Sequence, residues 1–410
     1  MTVQPESVLM GTPAAQPESA PSLFDYRTYD LKEEVVDDLV ERIRTALVNL
    51  EDKTGKYKYT IAGGRVIDSI SWGFWEWPQA IGLYGLFNYF NLKSTLDPKS
   101  PEGSRTLQVI KEWYTARANE PPTLKNINTM SVLLTLASLM EVENERGGIF
   151  TKDEKDLYSG WIDEWAEWVM NELPRTEQGI FQHSEFIPVW DDTLMMTVLP
   201  LAKIGHLLGR PQYVEEAKYQ FIQHSQYLMD QTTGLWAHGF EFDGKAGGHS
   251  WGNIAWARGN CWITIAIPIF LDLIKLSPAD PIHRTLTSVL HRQVDALLKL
   301  QDPETGLWRT LLLDSTSYVE TSASAGFVAG IFIGIRTGLL NREKYLPTAL
   351  SGLKAIIAQI QPSGVVQNVS KGTPVSTNPD FYKNMPLLTT GFGQSLVIMA
   401  LGEWLRFNRA

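Results

Sequence analysis

Trp262-Ile263-Thr264-Ile265-Ala266-Ile267-Pro268-Ile269-Phe270-Leu271-Asp272-Leu273-Ile274-Lys275-Leu276 is apolar on nearly every side. The run falls short of a bilayer-spanning helix and carries Asp272 and Lys275, so it reads as a helix covered all round by protein. Its flanks differ in kind. Residues 213–230 and 281–301 place apolar side chains on one face only, the pattern of a half-exposed helix. The same alternation runs through the chain. Segments 30–50, 107–120, 153–171, 213–230, 281–301 and 344–361 are amphipathic, whereas 81–90, 126–140, 193–208, 260–276, 321–340 and 390–407 are apolar nearly all round.

A short glycine turn reinforces this repeat: Gln178-Gly179-Ile180-Phe181, Thr233-Gly234-Leu235-Trp236, Thr305-Gly306-Leu307-Trp308 and Ser363-Gly364-Val365-Val366. The glycines are 55, 72 and 58 residues apart. A period of this size marks one supersecondary unit repeated, here a helical hairpin with a small loop or strand pair at one end. Six such hairpins, each with one fully apolar helix, close into a double ring. The expected fold is therefore all-α, an (α/α)6 toroid with short β-hairpin loops, in a single domain over 26–410. An open solenoid is the alternative, but its repeats would stay amphipathic rather than alternate in type.

Composition narrows the function. The 410 residues are 44% hydrophobic and carry a formal net charge of −10 without a block of Lys and Arg, which argues against nucleic acid or an anionic membrane as partner. An anionic substrate would need a locally placed cation. The single cysteine, Cys261, excludes an intramolecular disulfide and fits a reducing compartment. Residues 1–25 read as a disordered tail, without the basic and apolar regions of a secretory signal, so a cytoplasmic protein is expected. The seven histidines are scattered, and no cysteine cluster accompanies them, so neither a metal nor another cofactor is expected. Gly244-Lys245-Ala246-Gly247-Gly248 lacks the context of a phosphate loop, and no Gly-x-Ser-x-Gly elbow is present.

In a toroid the loops entering the inner helices converge on one mouth. These loops carry Trp72, Trp75, Trp77, Asn126, Asn128, His183, Trp190, Asp192, His238, His249, Trp251, Trp256, Arg258 and Trp262. Aromatic faces with a few fixed polar groups suit sugar rings, whose C–H faces stack and whose hydroxyls need partners. Among these loops Pro188-Val189-Trp190-Asp191-Asp192-Thr193 stands out. Asp and Thr there are good helix caps; equally, one Asp set into a Trp-lined pocket would be suited to handling a proton.

Four blocks resemble a known family. Trp190-Asp191-Asp192-Thr193-Leu194-Met195-Met196, Gly234-Leu235-Trp236-Ala237-His238-Gly239, Trp256-Ala257-Arg258-Gly259-Asn260-Cys261-Trp262 and Glu320-Thr321-Ser322-Ala323-Ser324-Ala325 are similar, in the same order, to signatures of the unsaturated rhamnogalacturonyl hydrolases (glycoside hydrolase family 105). The resemblance implies the same toroid and an unusual hydrolysis of pectin-lyase products. An Asp protonates C4 of an unsaturated uronic acid, water adds at C5, and the hemiketal opens to release the sugar. It places the catalytic role on Asp192 and substrate binding on Trp190, His238, Trp256, Arg258 and Trp262, with Arg258 as the cation for the carboxylate. Asn126 and Trp75 are further candidates at the mouth. Asp191 is expected to be an N-cap or a solvated neighbour, and Cys261, where the family has Gly, to reshape the pocket beside Arg258. Glu185, Glu241 and Glu320 are the nearest candidates for a second acid. Where the related unsaturated glucuronyl hydrolases (family 88) carry a His-Asp pair, this chain has Asn126-Ile127-Asn128, which disfavours a glycosaminoglycan-type substrate. The alternatives are an unsaturated glucuronyl hydrolase on other lyase products, a sugar 2-epimerase of the same fold, which would use paired histidines, and a non-catalytic glycan-binding module. The expected partner is an oligosaccharide, and the expected assembly a monomer or homodimer.

Overall fold

The computed structural model describes residues 31–60, 66–68, 70–243 and 247–409. The expected tail over 1–25 and the Gly244–Ala246 part of the glycine-rich stretch lie outside them. Six outer helices, Glu33–Val48, Pro101–Ala118, Lys152–Asn171, Pro211–Leu228, Pro281–Leu300 and Arg342–Ile357, alternate with six inner segments. The inner segments are Trp77–Leu96, Ile127–Met130 continuing into Val132–Arg146, Leu194–Leu207, Ala257–Ile274, Thr321–Arg336 and Gly391–Phe407. Each inner segment packs on the next, and Gly391–Phe407 packs on Trp77–Leu96 to complete the circle. The toroid is all-helical apart from short antiparallel strand pairs at the loops, such as Val189–Trp190 beside Gly239–Phe242 and Val369–Ser370 beside Leu387–Leu388.

Several boundaries move outward from the sequence expectation. The first inner helix begins at Trp77, where Pro78 supplies a pre-set φ, and the second outer helix begins at Pro101 with Ser100 accepting from the Gly103 N–H. Ala257–Ile274 is long and apolar enough to cross a bilayer, which corrects its reading from the sequence as too short; it is nevertheless buried in the ring.

The glycine turns show how the hairpins are joined. All four glycines have positive φ, from 76° to 84°. The backbone N–H two residues on is accepted in each case by a polar side chain: Phe181 by Gln220, Trp236 by Asn260, Trp308 by Ser324 and Val366 by Gln394. Three turns press their glycine against the backbone of a neighbouring outer helix: Gly234 on Arg292, Gly306 on Ser351 and Gly364 on Arg42. The last contact joins the end of the chain to its first helix, and Gln394 strengthens it by donating to the carbonyls of Gly364 (2.8 Å) and Ile43 (3.3 Å). A Cβ at Gly364 would collide with the Arg42 carbonyl, whereas at Gly179 it meets only the Tyr219 ring at ordinary contact distance. Gly364→Ala is therefore expected to cost about 2–4 kcal/mol and Gly179→Ala only about 1. Thermal unfolding of the two variants checks the order.

Candidate active site

Val189–Trp190 pairs with Gly239–Phe242, and this strand contact sets Asp191 and Asp192 beside His238. The inner segment that follows opens as a π-helix over Leu194–Val198. Neither Asp191 nor Thr193 caps it through a side chain; Thr193 Oγ1 instead lies 2.9 Å from His183 Nδ1.

Asp192 is the partly open member, with 16% of its side chain exposed. Trp262 Nε1 donates to its Oδ1 at 3.1 Å. His238 Nε2 faces its Oδ2 at 3.5 Å, longer than a direct hydrogen bond. The Tyr382 hydroxyl lies 2.9 Å from His238 Nδ1 and 3.3 Å from the Ser376 carbonyl; when it donates to Nδ1, the imidazole proton is on Nε2 and faces Asp192. Trp256 covers one side of His238, with ring centroids 4.2 Å apart, and Trp190 meets it edge-on at 5.4 Å. Trp190 in turn stacks flat on His183 at 4.2 Å.

Asp191 overturns its expected role. It is fully buried and caps no helix through its side chain; its carboxyl lies against that of Asp192 and the backbone N–H groups of Asp191 and Asp192. It is wedged against Gly259, where a Cβ would collide with its carboxyl group, so the glycine of the Arg-Gly-Asn block exists to admit it. Burial pushes Asp191 well above the ordinary carboxylate range, and the adjacent Asp192 charge adds to the rise. For Asp192 burial also works upwards, but the facing His238 imidazole, with Asp191 and His183 behind it, outweighs burial and holds the carboxyl at about 2. Burial lowers both imidazoles against the pull of Asp192, His183 to about 4. A neutral His238 offers a dipole rather than a full charge. The state that stands is an ionised Asp192 against a protonated Asp191, one proton held by the pair.

Arg258 is placed differently from the expectation. Its guanidinium lies against the rings of Trp256 (4.5 Å) and Phe392 (4.6 Å), and the residue is 1% exposed. Nη1 donates to the Ser370 carbonyl (2.9 Å) and hydroxyl (2.6 Å), and Nη2 to the Lys371 carbonyl (2.7 Å). With Glu320 at 3.8 Å, both ends of the fork are committed to protein. Arg258 thus ties the 370–373 segment to the inner ring rather than presenting two free donors to a carboxylate.

The remaining candidates divide. Trp262 is buried and acts through its N–H on Asp192 rather than as a stacking wall. Asn126 is exposed and caps Ile127–Met130 in a reciprocal box with Thr129. Trp75 is buried, donates to the Thr129 carbonyl and stacks on Trp165, so it belongs to an aromatic cluster between two hairpins. The Cys261 thiol is buried and packs against Gly326. Glu320 caps its helix through the Ala323 N–H and accepts from Ser322 and Ser370, which occupies it fully.

One acid was missed in the sequence. Glu76 is the N-cap residue of the first inner helix, hydrogen-bonded to Asn128 and to the Trp77 N–H. Burial raises its carboxyl to about 7 against both bonds. Pro78, marking the helix start, is the signal that would have placed it. Asp191, Asp192 and His238 also bring one oxygen or nitrogen each within 4.8 Å of one another. Among the described residues no fourth ligand of that kind joins the group, and with the proton inventory above it is suited to moving a proton.

Because Glu76 binds a proton more tightly in the folded chain, its contribution is complete below about pH 4.5 and is lost as pH rises through about 7. Wild type is expected to lose up to about 3 kcal/mol relative to Glu76→Gln over that interval. Denaturant titrations at pH 4.5 and 8 measure the difference.

Residues 50–408 match the model of Glycosyl Hydrolase Family 88. The chain is 32% identical over 343 residues to the unsaturated rhamnogalacturonyl hydrolase YesR of Bacillus subtilis, covering 82% of this chain and 91% of that one. A crystal structure of a possible GH105 family member from Salmonella enterica superposes with a TM-score of 0.83 at 40% identity, over 98% of this chain and 100% of the other. An unsaturated 3S-rhamnoglycuronyl hydrolase of Formosa agariphila is 28% identical over 230 residues, 53% of this chain and 58% of that protein.

Proposed function

Since this chain belongs to Glycosyl Hydrolase Family 88 and is similar to an unsaturated rhamnogalacturonyl hydrolase and to a possible GH105 member, we propose that the activity of this glycoside hydrolase resides in the Asp191–Asp192 pair. The enzyme removes an unsaturated uronic acid from the non-reducing end of pectin-lyase products. The observation that carries the site assignment is the partly open Asp192 carboxyl in contact with the fully buried Asp191 carboxyl.

In this reading the proton held by the pair passes through Asp192 to C4 of the enol ether. Positive charge develops at C5, next to the ring oxygen, while the pair becomes doubly ionised. Water then attacks C5 and returns its proton to the pair, and the hemiketal opens. Asp191, in a dry pocket, makes the doubly ionised state expensive, so the pair keeps one proton to donate and takes it back readily from the attacking water. His238 directs its N–H at the oxygen that shares the reaction, and Trp262 fixes the Asp192 rotamer. Trp190 and Trp256 form the walls. Arg258 acts as a support, holding Trp256, Phe392 and the 370–373 segment in place. This chemistry needs one proton-handling centre rather than two carboxylates placed across a glycosidic bond. We also infer a single domain and a cytoplasmic location, supported by the closed ring and the single buried thiol.

Incubation with lyase-generated rhamnogalacturonan disaccharide is expected to abolish the ultraviolet absorbance of the double bond, with Asp192→Asn at least about 100-fold slower. An equally active Asn variant would remove Asp192 from the mechanism. Asp191→Asn deletes the like charge that raises the pair's proton affinity. The groups that remain around the site are His183, His238, Arg258, Cys261 and Tyr382. The alkaline limb of kcat/KM is expected to move about one pH unit or more to lower pH. An unmoved limb would show that Asp191 does not share the proton.

A further inference from the structure

Tyr382 reaches His238 from 144 residues further along the chain, out of the loop that enters the last inner helix. It lies on the short helix Pro379–Lys383, between the paired strands Val369–Ser370 and Leu387–Leu388. Several contacts fix this hairpin to its neighbours. Arg258 donates to the Ser370 and Lys371 carbonyls, the Tyr318 hydroxyl donates to the Tyr382 carbonyl at 3.2 Å, and Lys383 meets Asp314 at 3.1 Å. The Tyr382 ring packs with Ile254, Trp256 and Leu311 in a small cluster apart from the main core, and it is fully buried, as is His238. Packing explains the ring. It does not explain the hydroxyl, which is set between two loops at the edge of the proton-handling pair.

The phenol oxygen accepts from the Ser376 N–H at 3.0 Å. Its own hydrogen has two acceptors within reach, His238 Nδ1 at 2.9 Å and the Ser376 carbonyl at 3.3 Å. The choice decides where the imidazole hydrogen sits. Donation to Nδ1 leaves that hydrogen on Nε2, facing Asp192. Donation to Ser376 lets an Nδ1–H point at the phenol and turns a bare Nε2 towards Asp192. The first arrangement uses the shorter contact and avoids setting a lone pair against the Asp192 carboxylate. Burial also raises the phenol above its ordinary range, so it keeps its hydrogen to give.

The choice matters most at the moment when Asp192 itself holds the proton. Trp262 donates to Oδ1, so the acid hydrogen belongs on Oδ2, the oxygen 3.5 Å from His238 Nε2. A bare Nε2 would accept that O–H and hold the proton away from the substrate. An Nε2 that already carries hydrogen has no lone pair to offer, and the O–H is left for C4. We propose that Tyr382 is a positioning residue that keeps the His238 hydrogen on Nε2, so that the imidazole does not compete with C4 for the proton of the pair. The proposal rests on the hydrolase reading above and deepens it, making proton delivery depend on the seating of the 369–388 hairpin.

Nitrogen-15 NMR of histidine-labelled protein reads which imidazole nitrogen carries hydrogen, with His238 assigned by its absence from the spectrum of His238→Gln. The deciding background is Asp192→Asn, which needs no turnover and whose amide is neutral, as Asp192 is when it holds the proton. There the His238 hydrogen is expected on Nε2 while Tyr382 is present, and on both nitrogens once Tyr382→Phe is added. In otherwise wild-type enzyme, Tyr382→Phe keeps the packed ring and is expected to lower kcat on unsaturated rhamnogalacturonan disaccharide at least about tenfold, with KM within about threefold. Hydrogen on Nδ1 with Tyr382 in place would overturn the proposal, and this arm does not depend on the Phe variant folding. A tautomer that Tyr382→Phe leaves unmoved would also overturn it, even with kcat reduced, since packing alone would then account for the loss. A tautomer that moves while kcat holds would do the same. Absence of ultraviolet decay by wild type, with the Tyr382-dependent tautomer intact, would instead refute the hydrolase reading and leave the Tyr382–His238 assignment standing.

Discussion

A helix that is apolar on every side can be buried only if protein surrounds it, and six such helices in one chain can all be surrounded only if their row closes. That constraint governs this structure. Closure falls to the contact between the last glycine turn and the first outer helix, where Gly364 lies against the Arg42 carbonyl and Gln394 bridges both segments. The three preceding turns carry the same N–H to side-chain bond, so the ring is assembled from one joint used repeatedly. Apolar burial supplies the driving force; these polar joints set where each hairpin stops.

Closure also creates the site. Loops entering the inner helices must meet at one end of the ring, and the ring excludes water from what they bring there. Asp191 is the clearest consequence. A carboxyl pressed against another carboxyl in a dry wall is tolerable only when protonated, and Gly259 leaves room for it directly behind Asp192. The same dryness keeps His183 and His238 neutral and raises Glu76 to about 7. One environment thus prepares several groups, and Asp192 is the partly open carboxyl that stands against a second, buried one.

The toroid was legible because it rests on periodicity: helix type alternates along the chain, and the glycine turns recur. Asp192 was legible because it stands two residues after Trp190 in a recognisable block. Side-chain direction was not legible. Asp191 and Asp192 are neighbours in sequence, and only the position of Gly259, 68 residues downstream, decides which of them is buried. Arg258 reads as a free cation until Ser370 and Lys371, more than a hundred residues later, are seen to accept its protons. Asn126 and Asn128 look alike in sequence; one caps a helix and the other bonds Glu76. Each of these depends on contacts between distant loops, which local spacing does not encode.

The central claim is that a proton from the Asp191–Asp192 pair is delivered to carbon rather than to a glycosidic oxygen. Following the reaction on unsaturated rhamnogalacturonan disaccharide in deuterium oxide by early-time proton NMR tests it most directly. The expected result is loss of the olefinic signal at the rate at which reducing sugar appears, with one deuterium delivered to a single face of C4. Release of reducing sugar while the olefinic signal persists would contradict the claim.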